Sequence, residues 1–141
     1  MTISLSFKIN GIDWSEVTEI FRRAPLGNRE PEKLRRACEN SYIVCFAFDK
    51  TKLVGMGRAI SDGEYQAAIY DLVVLPEYQS NGIGRQIMEA IQRRLPVKTI
   101  ILYAVPGKEL FYKNLGYFKM HTAMARRNEA LEEFRLEGYI E

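Results

Sequence analysis

Gln79-Ser80-Asn81-Gly82-Ile83-Gly84-Arg85 is the segment with the clearest chemical use in this chain of 141 residues. It follows an apolar run, Leu72-Val73-Val74-Leu75, and a Pro76 turn. After it, Ile83, Ile87, Met88, Ile91 and Leu95 recur at helical spacing. A strand, a glycine-bearing loop and a helix in that order deliver several backbone N–H groups to the helix start. Those donors and the helix dipole suit a phosphate. Gly82 and Gly84 let backbone approach a ligand with no Cβ in the way. The loop is not a dinucleotide fingerprint, because Ile87 stands where the third Gly belongs. The next predicted strand also ends at Tyr103-Ala104, without an acid to hold a ribose. No Gly-Lys-Ser/Thr occurs, which excludes a Walker A loop.

Other reactive side chains are few. His121 is the only His, and a lone His is more often a surface or satisfied residue than a catalyst. Cys38 and Cys45 form no Cys-x-x-Cys pair, so the chain predicts no metal site. They read as small core or partly exposed residues rather than nucleophiles. Arg85, Arg93 and Arg94 share one helix; Arg85 is close enough to the loop to meet a phosphate, while the other two read as a solvated face. Arg126-Arg127 reads as surface charge.

The elements that must position these groups follow from pattern. Residues 2–9 alternate as a strand with one buried face. Asp13 and Glu16 form a capping-box pattern ahead of a helix that stops by Ala24. Residues 30–39 predict a second helix with Pro31 in its first turn. Residues 42–48, 53–60 and 66–75 predict three strands joined by short turns, the second of which carries Asp62-Gly63. The helix after the glycine loop is stopped by Pro96. A strand over 97–104 completes a right-handed βαβ unit. A short helix over 108–115 ends at Gly116. A further strand is expected over 117–120 and a terminal helix over 128–136.

Composition bounds the class. Hydrophobic residues make up 47% and charged residues 27%, as in an ordinary single globular domain, here taken as residues 1–141. A net charge of +2 gives no support for nucleic-acid binding. No apolar run approaches membrane length, and the start lacks a signal-peptide pattern, so the expectation is a cytoplasmic protein with reduced thiols and no membrane partner.

The pattern Gln-x-x-Gly-x-Gly at residues 79–84 resembles the coenzyme A loop of the GNAT acetyltransferase superfamily. Phe111-Tyr112-Lys113-Asn114-Leu115-Gly116-Tyr117 is similar to that family's Phe-Tyr-x-x-x-Gly-Phe/Tyr segment. The order of elements resembles the family's layout over nearly the whole chain. The resemblance implies an α/β (α+β) fold: one GNAT-like domain with a central mixed, mostly antiparallel twisted sheet, helices on both faces, and a splay between the fourth and fifth strands. The usual closing strand is expected to be shortened or absent.

The resemblance also implies a chemistry. Acetyl-CoA would be the cosubstrate, with no metal. Backbone N–H groups of Gln79, Ser80, Asn81, Gly82, Ile83, Gly84 and Arg85 would hold its pyrophosphate. Backbone groups of Leu72, Val73 and Val74 would pair with pantetheine and steady the thioester carbonyl. Tyr112 would meet the cofactor's sulfur and act as general acid toward the leaving thiolate. For the base, family members carry a His or Glu where Ala68 and Tyr70 stand. Ala68 is inert and Tyr70 is a poor base; Glu64, Asp71 or a water chain remain as alternatives. Plain alternation puts Tyr70, Leu72 and Val74 on one face and Ile69, Asp71 and Val73 on the other.

The acceptor implied is a primary amine, favoured as a small molecule, attacked directly in a ternary complex. Its pocket would draw on residues 14–40 and 120–141. Phe21, Leu26, Tyr42, Tyr65 and Tyr139 are candidates for an apolar slot. Glu16, Glu19, Glu30, Glu32 and Asp62 are candidates to attract a cation. Rival readings are acetylation of a protein Lys or N-terminus, and a non-catalytic coenzyme A sensor. Monomer and homodimer both occur in the family.

Overall fold

The computed structural model describes all residues, Met1–Glu141, in two compact units, Met1–Leu102 and Tyr103–Glu141. The first unit holds the whole sheet. Strands β1 (Ile3–Ser6), β2 (Ile43–Asp49), β3 (Lys52–Ser61), β4 (Gln66–Val74) and β5 (Thr99–Ile101) lie side by side in chain order. The first four are antiparallel and β5 runs parallel to β4, as a βαβ unit requires. The helices are α1 (Trp14–Arg23), α2 (Pro31–Glu39) and α3 (Ile83–Arg93).

Paired residues in a ladder face the same side, which assigns the two layers. Phe46 pairs with Met56, and Trp14 of α1 meets the Phe46 ring edge-on at 6.0 Å. That face is covered by α1, whose Val17, Ile20 and Phe21 are buried. Cys45 pairs with Gly57 on the other face. There a Cβ added at Gly57 would stand 2.9 Å from Ile87 Cγ2 and 3.2 Å from Ile91 Cδ1. Small residues at this point let α3 lie close to the sheet with Ile83, Ile87, Met88 and Ile91 fully buried. Each such side chain contributes about 1.5–3 kcal/mol by leaving water.

Asp13 caps α1 by accepting from the N–H groups of Ser15 and Glu16 at 3.0 and 3.3 Å. The reciprocal half of the predicted capping box is missing, because the Glu16 carboxylate accepts from the Leu53 N–H at 3.3 Å instead. Strand β1 is shorter than the alternation of residues 2–9 predicts: it pairs only with residues 46–49, and the Lys8 N–H then turns back to Ser6 Oγ. The turn expected at Pro76 forms as one turn of 3₁₀ helix, Pro76–Tyr78. Strand β5 is three residues long rather than eight.

Strand β4 departs from a regular ladder in two ways. First, its pairing with β5 covers only Gln66, Ala67 and Ala68, so from Ile69 to the strand's end β4 has no neighbour on that side. This is the splay. Second, β4 carries a bulge. Met56 pairs with Val73 and Arg58 with Tyr70, so three steps on β4 match two on β3. The extra residue is Asp71, at φ 58 in the left-handed region. The bulge corrects the alternation expected from sequence. Tyr70 shares a face with Arg58, Asp71 reaches Arg58 on that same face, and Leu72 turns to the α3 face, where its Cδ1 is 3.4 Å from a Cβ added at Gly57. Tyr70 and Asp71 are therefore on one side, and Leu72 and Val74 on the other.

The second unit contains α4 (Glu109–Lys113) and α5 (Leu131–Leu136) and no strand. The strand expected over residues 117–120 does not form. After α4 the chain turns at Gly116, φ 93, and the N–H groups of Gly116 and Tyr117 return to the carbonyls of Lys113 and Tyr112 at 3.0 Å each. This is a Schellman closure. It commits the Tyr117 backbone to the helix end, and Phe118 is left 90% exposed. The terminal helix starts at Leu131, not at residue 128, after Ala130 in the left-handed region.

Candidate functional site

The glycine loop is built by two left-handed residues, Ser80 (φ 65) and Gly82 (φ 79), on either side of Asn81. The Asn81 amide donates to the carbonyls of Tyr78 and Gln79 at 3.2 and 3.0 Å, which closes the turn on itself. Gly82 is the N-cap of α3, and no side chain caps that helix. The N–H groups of Ile83, Gly84 and Arg85 thus have no acceptor from the helix itself. A Cβ added at Gly82 would meet nothing within 4 Å, so the approach to these donors is open. An arrangement of this kind fits a phosphate in both geometry and charge.

Gln79 has a use that its place in the motif does not suggest. Its Nε2 donates to the Val74 carbonyl at 2.9 Å, pinning the end of β4 to the loop. Tyr78 anchors the turn from below, donating its hydroxyl to Asp49 Oδ2 at 2.7 Å, with the Lys52 ammonium 5.3 Å from its ring centroid. Asp49 also accepts from the Thr2 N–H. Glu77 pairs with Arg23 of α1 at 2.7 Å. These supports join residues distant in the chain, which is why no local pattern announced them. Arg85 is exposed and pairs with Glu89 one turn on at 2.7 Å.

One bond reveals the backbone direction at the end of β4. The Leu75 N–H donates to the Val54 carbonyl at 2.9 Å, toward β3. The Val73 carbonyl points the same way, 2.9 Å from a Cβ added at Gly55. Alternation then directs the backbone groups of Val74 and Leu72 into the splay. Of the three β4 residues singled out from sequence, two face the open side and Val73 faces its neighbouring strand.

Among the candidate bases, Asp71 is half-enclosed by two arginines. Burial alone would raise its carboxyl, but hydrogen bonds from Arg29 and Arg58 and their charges outweigh that and hold it below the usual carboxylate range. Tyr70 lies beside the same arginine, with the Arg58 guanidinium 5.6 Å from its ring centroid. Glu64 is exposed in the β3–β4 turn, where Asp62 accepts from the N–H groups of Glu64, Tyr65 and Gln66. His121 lies exposed in a bend of the second unit. Cys38 and Cys45 are fully buried and unbridged, and burial pushes their thiols up to about 11 and about 12. Neither is a nucleophile at neutral pH.

In the second unit, Tyr112 sits on α4 between Phe111 and Tyr117, with ring centroids 5.0 and 6.1 Å away. Burial raises its hydroxyl pKa, so it keeps its proton at neutral pH. Around α5, Tyr103, Phe134 and Tyr139 form a cluster in which Phe134 and Tyr139 stack at 4.5 Å.

With this geometry in hand, comparison with known proteins is decisive on one point. The family model described as the acetyltransferase (GNAT) domain matches residues 16–131. The chain belongs to the GNAT acetyltransferase family. Within it, this GNAT domain is 36% identical over 114 residues to a protein named serotonin N-acetyltransferase 2, chloroplastic, of Oryza sativa subsp. japonica, covering 76% of the chain and 57% of that relative. It is 35% identical over 103 residues to a histone acetyltransferase of Glycine max, covering 63% of the chain and 45% of that relative. The chain thus spans about half the length of the curated relatives it matches. Among solved structures, a probable acetyltransferase of Staphylococcus aureus superposes with a TM-score of 0.80 at 22% identity, over 89% of this chain and 99% of the other, which shows the shared fold. No helix is long and apolar enough to cross a membrane.

Proposed function

We propose that this GNAT domain transfers an acetyl group from acetyl-CoA to a primary amine of a small molecule, by direct attack in a ternary complex, with residues 1–141 acting as one catalytic domain. The observation that carries the reading is the uncapped, open start of α3 beside the splayed edge of β4. Acetyl-CoA supplies the activated acyl group as a thioester.

Every other step belongs to the chain's own groups. The N–H groups at Gly82, Ile83, Gly84 and Arg85 take the pyrophosphate charge, with Gln79, Ser80 and Asn81 holding the loop in shape. Leu72 and Val74 offer their backbone groups along the splay, where an N–H positioned at the thioester carbonyl stabilises charge as it develops. Tyr112, kept protonated by its burial, donates its proton to the departing sulfur. Asp71 is occupied by its arginines, so proton removal from the amine falls to Tyr70, Glu64 or water. A small amine is supported by the rice relative's name and protein acetylation by the soybean relative's name. A reducing compartment such as the cytoplasm suits the two unbridged thiols.

A thiol-release assay with acetyl-CoA against amines, polyamines, amino acids and peptides tests the reaction. Turnover with small amines supports the proposal; turnover confined to peptides replaces it with the protein reading; tight coenzyme A binding without any turnover replaces it with the sensor. Gly82 tests the cradle. Gly82→Asn keeps a residue that tolerates the left-handed region, so stability holds, while its side chain stands in the approach to the donors and calorimetric affinity for coenzyme A falls. Undiminished affinity would remove the loop from cofactor binding.

A further inference from the structure

Asp71 is the one residue of β4 in the left-handed region. For a non-glycine residue that conformation is strained, and a glycine would adopt it freely. What Asp71 adds is its side chain. Arg58 Nε donates to Oδ2 at 2.7 Å from the neighbouring strand β3. Arg29 reaches it as a fork, Nη1 to Oδ2 at 3.2 Å and Nη2 to Oδ1 at 2.8 Å. The Asp71 side chain is 10% exposed and that of Arg58 14%. Arg58 is steadied further by Ser41 Oγ at 3.2 Å. Arg29 belongs to the loop between α1 and α2, and its guanidinium lies 4.5 Å above the buried Phe21 ring of α1.

These contacts have two consequences. The bulge is held in one direction, because a bidentate pair fixes orientation as well as distance. That direction turns Leu72 toward the α3 face and its backbone groups into the splay. The same carboxylate is also the point where the α1–α2 loop attaches to β4. A backbone that steadies the acyl donor and a loop on the acceptor side therefore share one anchor.

We propose that Asp71 is a positioning residue which, clamped by Arg58 and Arg29, aims the Leu72 and Val74 backbone and couples the α1–α2 loop to it. The proposal deepens the acetyl-transfer reading and rests on it for the roles of the two sides. Asp71 does not touch the reacting atoms. It acts through the strand it bends and the loop it holds.

The test uses Arg29→Gln and Asp71→Asn, with Arg29→Lys as the conservative variant. Arg29→Gln leaves the Arg58 contact in place, so the fold and coenzyme A affinity should match the wild type while the KM for the amine rises about fivefold or more, the usual size of a coupling between sites. Arg29→Lys keeps the charge but loses the fork, and should recover only part of that loss. Asp71→Asn keeps a residue suited to the left-handed region and removes the charge; kcat should fall about 10²-fold, as for a misaimed reacting group. A purely structural pair would lower the Tm and leave kcat and the amine KM of the folded enzyme unchanged, and that result overturns the proposal.

Amide hydrogen exchange separates this failure from failure of the acetyl-transfer reading. Adding coenzyme A to the wild type should protect the amides of residues 24–30 together with those of 72–74, and Arg29→Gln should lose the first protection and keep the second. Exchange in residues 24–30 that ignores coenzyme A in the wild type overturns the coupling, whether or not any amine is acetylated. Should Asp71→Asn fail to fold, the Arg29 variants and the exchange pattern decide the matter alone.

Discussion

Tyr112 has a structural use that lies in a different part of the residue from the catalytic one proposed for its hydroxyl. Its carbonyl accepts the Tyr117 N–H that closes α4, and its ring packs against Tyr117. Neither contact involves the hydroxyl. Tyr112→Phe should therefore leave the Tm unchanged while kcat falls about 10²-fold, the usual worth of acid–base help; an unchanged rate at saturating substrates would take Tyr112 out of the mechanism. The motif that singled it out is in part a statement about helix ends. Phe134-Arg135-Leu136-Glu137-Gly138-Tyr139 repeats the same spacing and the same closure, with the Gly138 and Tyr139 N–H groups returning to the carbonyls of Arg135 and Phe134 at 3.0 and 3.1 Å. Gly116 and Gly138 are both left-handed because the turn requires it. Glycine and the aromatic after it are thus legible as backbone chemistry. The catalytic part proposed for the hydroxyl rests on family resemblance alone.

Strand β4 shows what pattern reading can and cannot recover at the level of an element. Its existence, its place inside the sheet and the glycine loop after it were legible, because apolar runs and glycines are local signals. The bulge was not, because an alternating run looks the same whether or not one residue is skipped by its partner. The clamp was hidden too: Arg29 is 42 residues from Asp71, and no periodicity joins them. This element has a characteristic response to acid. The folded-state pKa of Asp71 lies below its ordinary 3.8, so the clamp's contribution is fully present above that pH and is lost as pH falls through the depressed value. Chemical denaturation of the wild type and Asp71→Asn should show a gap in stability at pH 7 that closes as the pH is taken below the ordinary carboxyl range. A gap that stays constant into acid would mean the charge is not what the clamp uses.

The whole chain divides its order unevenly. Every ladder and every long helix lies in Met1–Leu102, whereas Tyr103–Glu141 holds helices of five and six residues with no strand. Helices that short are marginal on their own, so native-state exchange should be slowest in β2, β3 and α3 and faster throughout residues 103–141. Uniform protection across both units would contradict this. The order of elements through β5 was legible locally, and the fold class followed from the resemblance of that order and the two motifs to the GNAT layout; the strand expected over residues 117–120 is missing where the Tyr117 N–H turns back on α4. The bulge also makes this a protein in which folding and activity can be parted by a single in-frame codon loss. Without Asp71, Tyr70 still meets Arg58, Leu72 falls opposite Gly57 and Val73 still meets Met56, so every neighbour keeps its face and the hairpin heals into an unbroken ladder. Such an allele should yield a folded protein whose α1–α2 loop has lost its anchor on β4, with Arg58 left to Ser41, and in a genetic screen it would register as a loss of function larger than its loss of protein.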